Sequence, residues 1–460
     1  MIVPQPGLPL LTAAAMRAAE AAAIAGGTPA LVLMERASAG AAAAIRAFAP
    51  CRQALVLAGP GNNGGDGYGV ALALAAQGVA VTVAALAPPV GEPAATMAAR
   101  WRAAGGAVVP LADAPPAPLM VDALFGTGLA RALADDVQAV LNRLRGHGIV
   151  VALDIASGLD ADTGALWGDP LPAAMTVSFG AAKPGHVLGT GLPLTGRLVV
   201  VDIGVDTASP LALTTRPRLH LPFDAHKYAR GAVLVVAGQQ SGAAGLAALA
   251  ALRAGAGAVT MAGGTNLPAL AVMQTDAAGG QAMLADKRLG AVVIGPGLGA
   301  DASARDWLAR LLQIDKPLVI DAGALALLPD APIRPPAVLT PHEGEFTRQF
   351  GAIGADRVAA VQAVAARMGA VVLLKGPATI IAAPDGRVAI NTHASATLAT
   401  AGSGDVLAGI IAALLAQGLA PFDAATTGAW LHGDAGCRLG PGAIADDIIG
   451  ALPDVLAALA

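Results

Sequence analysis

Short, unbroken apolar runs alternate with longer alanine-rich stretches over most of the chain. Residues 11–50 carry the longer helical period, with Leu31-Val-Leu-Met-Glu-Arg36 in the middle. Gln53-Ala-Leu-Val-Leu-Ala58 then reads as a buried strand, followed by a glycine-rich loop, a helix through Gln77 and a strand from Val79 to Ala85. Residues 119–122, 149–154, 175–179 and 198–202 supply four more strands. The first two of these end in an acid, Asp122 and Asp154, just before a glycine-containing turn. Buried strands alternating with helices predict an α/β fold: a parallel sheet with helices on both faces.

Residues 205–224 break the pattern with Pro210, Pro217 and Pro222, and a domain boundary is expected there, with residues 209–223 as linker between domains 1–208 and 224–460. The second domain restarts the same alternation. Strands are predicted over residues 232–237, 259–262, 291–294, 317–321, 337–340 and 370–375, and an Ala/Leu-rich helix over residues 243–254. A hairpin over residues 379–390 turns at Pro384-Asp-Gly386.

Composition narrows the function classes. Hydrophobic residues make up 55% and charged residues 13%, and the formal net charge of −4 gives no reason to expect a polyanionic partner. Aromatics at 3% argue against a stacking surface for nucleic acid. A mean hydropathy of +0.64 raises the question of a membrane. The longest uncharged run, residues 67–91, is interrupted by Gln77, Gly78 and Pro88-Pro89, whereas a span needs about 20 continuous apolar residues. No signal peptide is expected, because the apolar stretch from Leu10 contains Arg17 and Glu20. With only Cys51 and Cys437, neither a disulfide framework nor a thiolate metal cluster is expected, and the reducing cytoplasm is the expected location. Alanine-rich helical faces point to a homo-oligomer, although they equally suit a core.

Gly59-Pro-Gly61-Asn-Asn-Gly64 matches the dinucleotide-binding spacing GxGxxG, but residues 81–89 hold no acid to meet a ribose. An ordinary NAD-dependent dehydrogenase is therefore not expected. The loop offers polar density instead, in Asn62, Asn63 and Asp66. Carboxyl ends of parallel strands face one crevice, so Asn63, Asp122, Asp154 and Ser157 can converge on a hard cation or on sugar hydroxyls. Asp160 and Asp162, inside Gly158-Leu-Asp-Ala-Asp-Thr-Gly164, read as turn formers.

Residues 11–205 resemble the NAD(P)H-hydrate epimerase family through Asn62-Asn-Gly-Gly-Asp66, Val121-Asp-Ala-Leu-Phe-Gly-Thr-Gly-Leu129 and Leu153-Asp-Ile-Ala-Ser-Gly-Leu-Asp-Ala-Asp-Thr-Gly164. The resemblance implies a Rossmann-like three-layer α/β/α domain. It assigns the hydrated dinucleotide to Asn62, Asn63, Gly64, Gly65 and Asp66 and to Gly126, Thr127, Gly128, Leu129, Ala130, Arg131 and Ala132. It assigns a potassium ion (K+) to Asn63, Asp122 and Ser157, and makes Asp154 the substrate-contacting acid/base that inverts the hydrated ring carbon. Ala156 departs from the family's usual proline and leaves the turn presenting Asp154 and Ser157 less stiff.

In the second domain Gly402-Ser-Gly404 runs directly into Asp405 and an apolar helical run, residues 406–415. Free N–H groups at such a helix start suit an anion. A helix cap would account for Ser403, but not for two glycines against an acid. An acid there fits the task of taking a proton from a hydroxyl about to attack phosphorus. No GxxxxGK[ST] sequence occurs, so a P-loop enzyme is not expected. Lys375, at a strand end, can offer positive charge to a nucleotide phosphate, and His342 stands beside Glu343 and Glu345.

This domain resembles the ribokinase-like superfamily. Within it, His226-Lys227, Gly231-Ala-Val-Leu-Val-Val-Ala-Gly238, Ala251-Leu-Arg-Ala-Gly-Ala-Gly257, Pro341-His-Glu-Gly-Glu345 and Ala401-Gly-Ser-Gly-Asp-Val-Leu-Ala-Gly409 look like the ADP/ATP-dependent NAD(P)H-hydrate dehydratases. The resemblance assigns ADP or ATP, with Mg2+, to Lys375, Gly376, Pro377, Ala378 and Thr379 and to Ser395-Ala396-Thr397-Leu398-Ala399-Thr400-Ala401-Gly402-Ser403-Gly404. Gly299, His342 and catalytic Asp405 then contact the substrate. Tyr228 stands where a glycine commonly follows His-Lys, and Gly323 replaces the second acid of an Asp-Ala-Asp strand end. The combined expectation is a bifunctional repair enzyme that epimerises hydrated NADH and NADPH and dehydrates one epimer. The alternative is a small-molecule kinase fused to a non-catalytic nucleotide-binding module, for which Asn63, Asp122, Asp154 and Ser157 would have no purpose.

Overall fold

The computed structural model describes residues 2–3, 5–219, 226–227, 229–264 and 269–459. The chain forms two compact units, Pro9–Ser209 and Met1–Leu8 together with Pro210–Ala460.

In the unit Pro9–Ser209 the predicted strands form one parallel sheet in the order Ala107–Pro110, Ala80–Ala85, Gln53–Ala58, Leu119–Ala123, Ile149–Leu153, Met175–Phe179, Arg197–Val201. Side chains alternate between the faces of a strand. Leu55 and Leu57 therefore pack with Val137, Leu141 and Leu144 of the helix Asp135–Leu144, while Val56 and Val121 pack with Ile45, Tyr68 and Leu74 on the other face. The strand Ala107–Pro110, an edge strand closed by proline, is an addition to the predicted set. Residues 11–50 form two helices, Ala13–Ala25 and Ala30–Phe48, because left-handed Gly27 (φ 99°) cannot continue the first and Pro29 precedes the second. The chain leaves Gln53–Ala58 toward one edge and returns to build the other. The topological switch therefore lies between Gln53–Ala58 and Leu119–Ala123.

The second unit is also a sheet covered by helices. Its strands run Met273–Thr275, Ala258–Ala262, Ala232–Val236, Leu289–Ile294, Leu318–Ile320, Ala337–Leu339, Val371–Leu374 in parallel, followed by the antiparallel hairpin Thr379–Ala382 and Val388–Asn391. The stretch expected as linker is not free of structure. Leu211–Leu213 adds to Val388–Asn391 in parallel, and Arg218–Leu219 pairs antiparallel with Ile2–Val3. An open hairpin edge offers unpaired N–H and C=O groups, and the apolar Leu211-Ala-Leu213 meets them. Residues 220–223 and Tyr228 lie outside the described residues.

The helix Ser403–Ala416 is buried along nearly its whole length, against Ser241–Arg253 on one side and Pro421–Cys437 on another. A Cβ on Gly409 would strike the Ala247 carbonyl, so only glycine lets these two backbones approach so closely. Ala244, Ala247, Ala248 and Ala251 are buried within the same unit, so this alanine face answers to core packing and lends no support to a subunit contact. Among the described residues no helix is long and apolar enough to cross a membrane.

Candidate active sites

Folding brings most of the N-terminal candidates to the switch point. A cavity of about 620 Å³ opens there, lined by Gly61 to Asn63, Asp66, Leu124 to Arg131, Asp154 and Phe179, together with Met16, Arg17 and Glu20 of the helix Ala13–Ala25. Asn62 opens the helix Asn62–Ala76, whose N-terminal N–H groups face an anion favourably. Gly64 and Gly65 are not lining residues. Any side chain on Gly64 would strike the Gly59 backbone, and one on Gly65 would meet Met34 and Ala94, so these glycines seat the helix. Ala132 falls just outside the lining.

Asp154 sits immediately after the strand Ile149–Leu153 in a left-handed conformation (φ 62°), which is uncommon for a residue with a side chain. Three groups hold it. The Lys183 ammonium donates to Asp154 Oδ1 at 2.6 Å, the Thr127 N–H donates to Oδ2 at 3.2 Å, and His186 Nε2 lies 2.8 Å from the Asp154 carbonyl oxygen. Burial alone would raise the Asp154 pKa, but Lys183, with smaller help from His186 and Thr127, brings it below the usual value. Asp66 is the opposite case: burial, then the negative charges of Asp154 and Glu20, push its carboxyl well up. Lys183 and His186 were not singled out in the sequence. The only signal was their placement after the strand Met175–Phe179, neighbour to the one carrying Asp154.

Asp122 and Ser157 lie beneath this cavity. Asp122 Oδ2 accepts the Ser157 N–H at 2.8 Å, and Asp122 Oδ1 accepts the Ser157 hydroxyl at 2.6 Å. Asn63 is only 9% exposed, and neither polar atom of its amide has a hydrogen-bond partner. A buried amide without partners is costly, and hard oxygen donors of this kind fit an alkali cation. Among the described residues no group of three or more His, Cys, Asp or Glu is placed to hold a metal ion. Asp160 is the turn former expected, accepting from the N–H groups of Asp162 and Thr163.

In the second unit Gly402 caps the helix Ser403–Ala416 in a left-handed conformation (φ 85°), with Asp405 in the first turn. Lys375 follows the strand Val371–Leu374 and donates to Asp321 Oδ1 at 2.8 Å, with Glu345 Oε2 at 3.9 Å. Gly404 carries no side chain, and a Cβ there would lie 3.1 Å from Lys375 Nζ. Burial, followed by repulsion from Asp321, raises the Asp405 pKa to about 7 against the opposing pull of Lys375. Glu345 and the strand end at Asp321 belong to the quoted motifs, but their pairing with Lys375 is visible only in the structure. His342 is exposed and caps the helix Glu343–Phe350, its Nδ1 accepting from the Gly344 and Glu345 N–H groups.

The remaining candidates are more dispersed. Gly376 and Pro377 form an exposed turn leading into the hairpin, where the Thr379 hydroxyl donates to the Gly376 carbonyl. Residues 395–398 fold back on the helix Pro421–Cys437, with the Thr397 hydroxyl donating to the Gly436 carbonyl. Ser403 Oγ pairs with buried His432 at 3.0 Å. The loop ending in Gly299 lies against Asp321 to Gly323: a side chain on Gly295 would strike the Asp321 carbonyl, and one on Gly323 the Leu298 carbonyl. Any side chain at position 323 would therefore force this loop to shift.

Two family models match the chain: one described as YjeF-related protein N-terminus over residues 30–185, and one described as NAD(P)H-hydrate dehydratase over residues 233–447. The bifunctional NAD(P)H-hydrate repair enzyme of Moorella thermoacetica is 40% identical, the match spanning 84% of this chain and 83% of that one. The chain belongs to this family. A homologous enzyme from Salinibacter ruber is 37% identical over 98% of this chain and 96% of its own. The ADP/ATP-dependent NAD(P)H-hydrate dehydratase of Bacillus subtilis, crystallised with ATP and Mg2+, is 31% identical over 53% of this chain and 95% of its own, with a TM-score of 0.47. Membership of the repair-enzyme family over both halves disfavours a kinase joined to a non-catalytic module.

Proposed function

We infer that the unit Pro9–Ser209 interconverts the R and S hydrates of NADH and NADPH, and that the unit beginning at Pro210 dehydrates the S hydrate at the expense of ADP or ATP. The observation that carries the second half is Asp405, at the mouth of a glycine-capped helix beside Lys375 and Asp321. Hydroxide leaves a saturated ring carbon poorly, whereas phosphate leaves well. Asp405 takes the hydroxyl proton as the oxygen attacks the terminal phosphorus. The N–H groups following Gly402 and the Lys375 ammonium offset the charge on the transferring group. Loss of phosphate, with a proton from the neighbouring ring carbon, restores the nicotinamide double bond.

Mg2+ bound with the nucleotide would neutralise phosphate charge, held chiefly by the phosphate oxygens, with Asp321 or Glu345 as the hard oxygen donors nearest Lys375. In the other unit a potassium ion held by Asn63, Asp122 and Ser157 would tie the Asn62–Ala76 helix start to the turn carrying Asp154. Epimerisation moves a proton off the hydrate and back with no net change, so Asp154 can serve as base and then as acid. The protein is incubated with hydrated NADH and ADP or ATP, and recovery of the NADH absorbance band is followed. Recovery is expected; folded protein giving none with either nucleotide rejects the dehydratase reading. Asp405→Asn should abolish recovery and leave R/S exchange intact, and Asp154→Asn should do the reverse.

A further inference from the structure

The mechanism above uses Asp154 but not the group that touches it most closely. Lys183 follows the strand Met175–Phe179 and is 1% exposed. Its ammonium has three donors and three acceptors: Asp154 Oδ1 at 2.6 Å, Ser178 Oγ at 2.8 Å and the Phe179 carbonyl at 3.0 Å. None of its protons is left for substrate. The Lys183 backbone N–H also donates to His186 Nδ1 at 3.0 Å. The His186 proton therefore resides on Nε2, which donates to the Asp154 carbonyl at 2.8 Å. One short segment grips both ends of a residue in a left-handed backbone conformation.

We propose that Lys183 is the positioning residue of the epimerase site, keeping Asp154 an aimed carboxylate with Oδ1 occupied and Oδ2 presented to the hydrate. The Oδ2 side is kept open by Gly126, where a Cβ would lie 2.9 Å from that oxygen. Without a cation at Oδ1, burial of the Asp154 carboxyl would favour its protonated form and cost it its function as base. The titratable and charged groups around Asp154 are Lys183 and His186, with Glu20, Asp66, Arg17 and Arg131 lining the same cavity. Of these, only the Lys183 ammonium is bonded to the carboxylate. His186, pushed down to about 4 by burial and by Lys183, is neutral at working pH.

The inference rests on the epimerase reading, and the test separates the two. Exchange of R into S hydrate is measured from pH 5 to 9 with the uncatalysed rate subtracted, for the full chain and for Lys183→Met. The wild type should show kcat/KM without an acid limb above pH 5. Lys183→Met should lose at least about tenfold in kcat at pH 7 and gain an acid limb at least about one pH unit higher, with KM changed less. ADP-dependent dehydration of the S hydrate should persist in the same preparation. A folded Lys183→Met protein with an unmoved pH profile overturns the proposal. If that variant fails to fold, the wild type decides: an acid limb centred above pH 5 overturns the proposal, and a flat profile to pH 5 supports it. A wild type with no exchange activity overturns the epimerase reading and this inference together.

Discussion

Asp405 shows how one side chain trades stability for chemistry. Its folded pKa of about 7 lies above the unfolded carboxylate value, chiefly because of burial and then Asp321. The folded state therefore binds a proton that the unfolded chain releases near pH 4, and stability falls as pH rises from about 4 through 7. Asp405→Asn removes that cost. Its thermal midpoint should exceed the wild type's at pH 8, with the difference shrinking toward pH 4, as calorimetry at the two values would show. With Asp405 as the proposed base, the same raised pKa would make dehydration depend on pH, since a base works only when deprotonated. The kcat/KM for the S hydrate should rise through an acid limb near pH 7, and Lys375→Met, which removes the one group lowering that pKa, should move the limb upward. An unmoved limb would separate the limb from Asp405.

Among the elements, the helix Ser403–Ala416 and the loop ending at Gly299 hold the dehydratase site in register, each through a glycine. Gly409→Ala places a methyl against backbone atoms of Ala247, which cannot rotate aside as a side chain could. A loss of about 1–3 kcal/mol in denaturant unfolding of that unit is expected. Gly323→Asp drives its Cβ into the Leu298 carbonyl beside left-handed Ala322 (φ 45°), and should reduce dehydration severely with R/S exchange unchanged. The element types were readable from their periods. The split of residues 11–50 followed from Gly26-Gly27 and Pro29, which stood in plain view but were outweighed by the continuity of alanines. The edge strands Ala107–Pro110 and Leu211–Leu213 are too short for any period to register.

For the molecule as a whole, the boundary expected in residues 205–224 coincides with the division at Pro210, but the first eight residues join the second unit. Ile2 is buried in that unit's core, next to the pairing of Ile2–Val3 with Arg218–Leu219. Deleting residues 1–8 should therefore weaken the dehydratase unit by about 1.5–3 kcal/mol, the contribution of one buried aliphatic side chain. Epimerase activity should survive, and domain-resolved thermal unfolding with both activity assays checks this.

The sequence alone determined the alternation of buried strands and helices, the glycine-led helix start that carries Asp405, and the expectation that Asn63, Asp122, Asp154 and Ser157 converge. Each of these rests on local chemistry: period, capping, and acids at strand ends. Only the tertiary structure decided which partners set their charge. Lys183 reaches Asp154 from 29 residues away and Lys375 reaches Asp321 across 54, and no spacing along the chain encodes such pairs. It also distinguished the glycines that face a cavity from Gly64 and Gly409, which admit a neighbouring backbone, and from Gly65, which admits Met34 and Ala94. A contact made by the absence of a side chain has no local signature, and becomes visible only when the two segments are side by side.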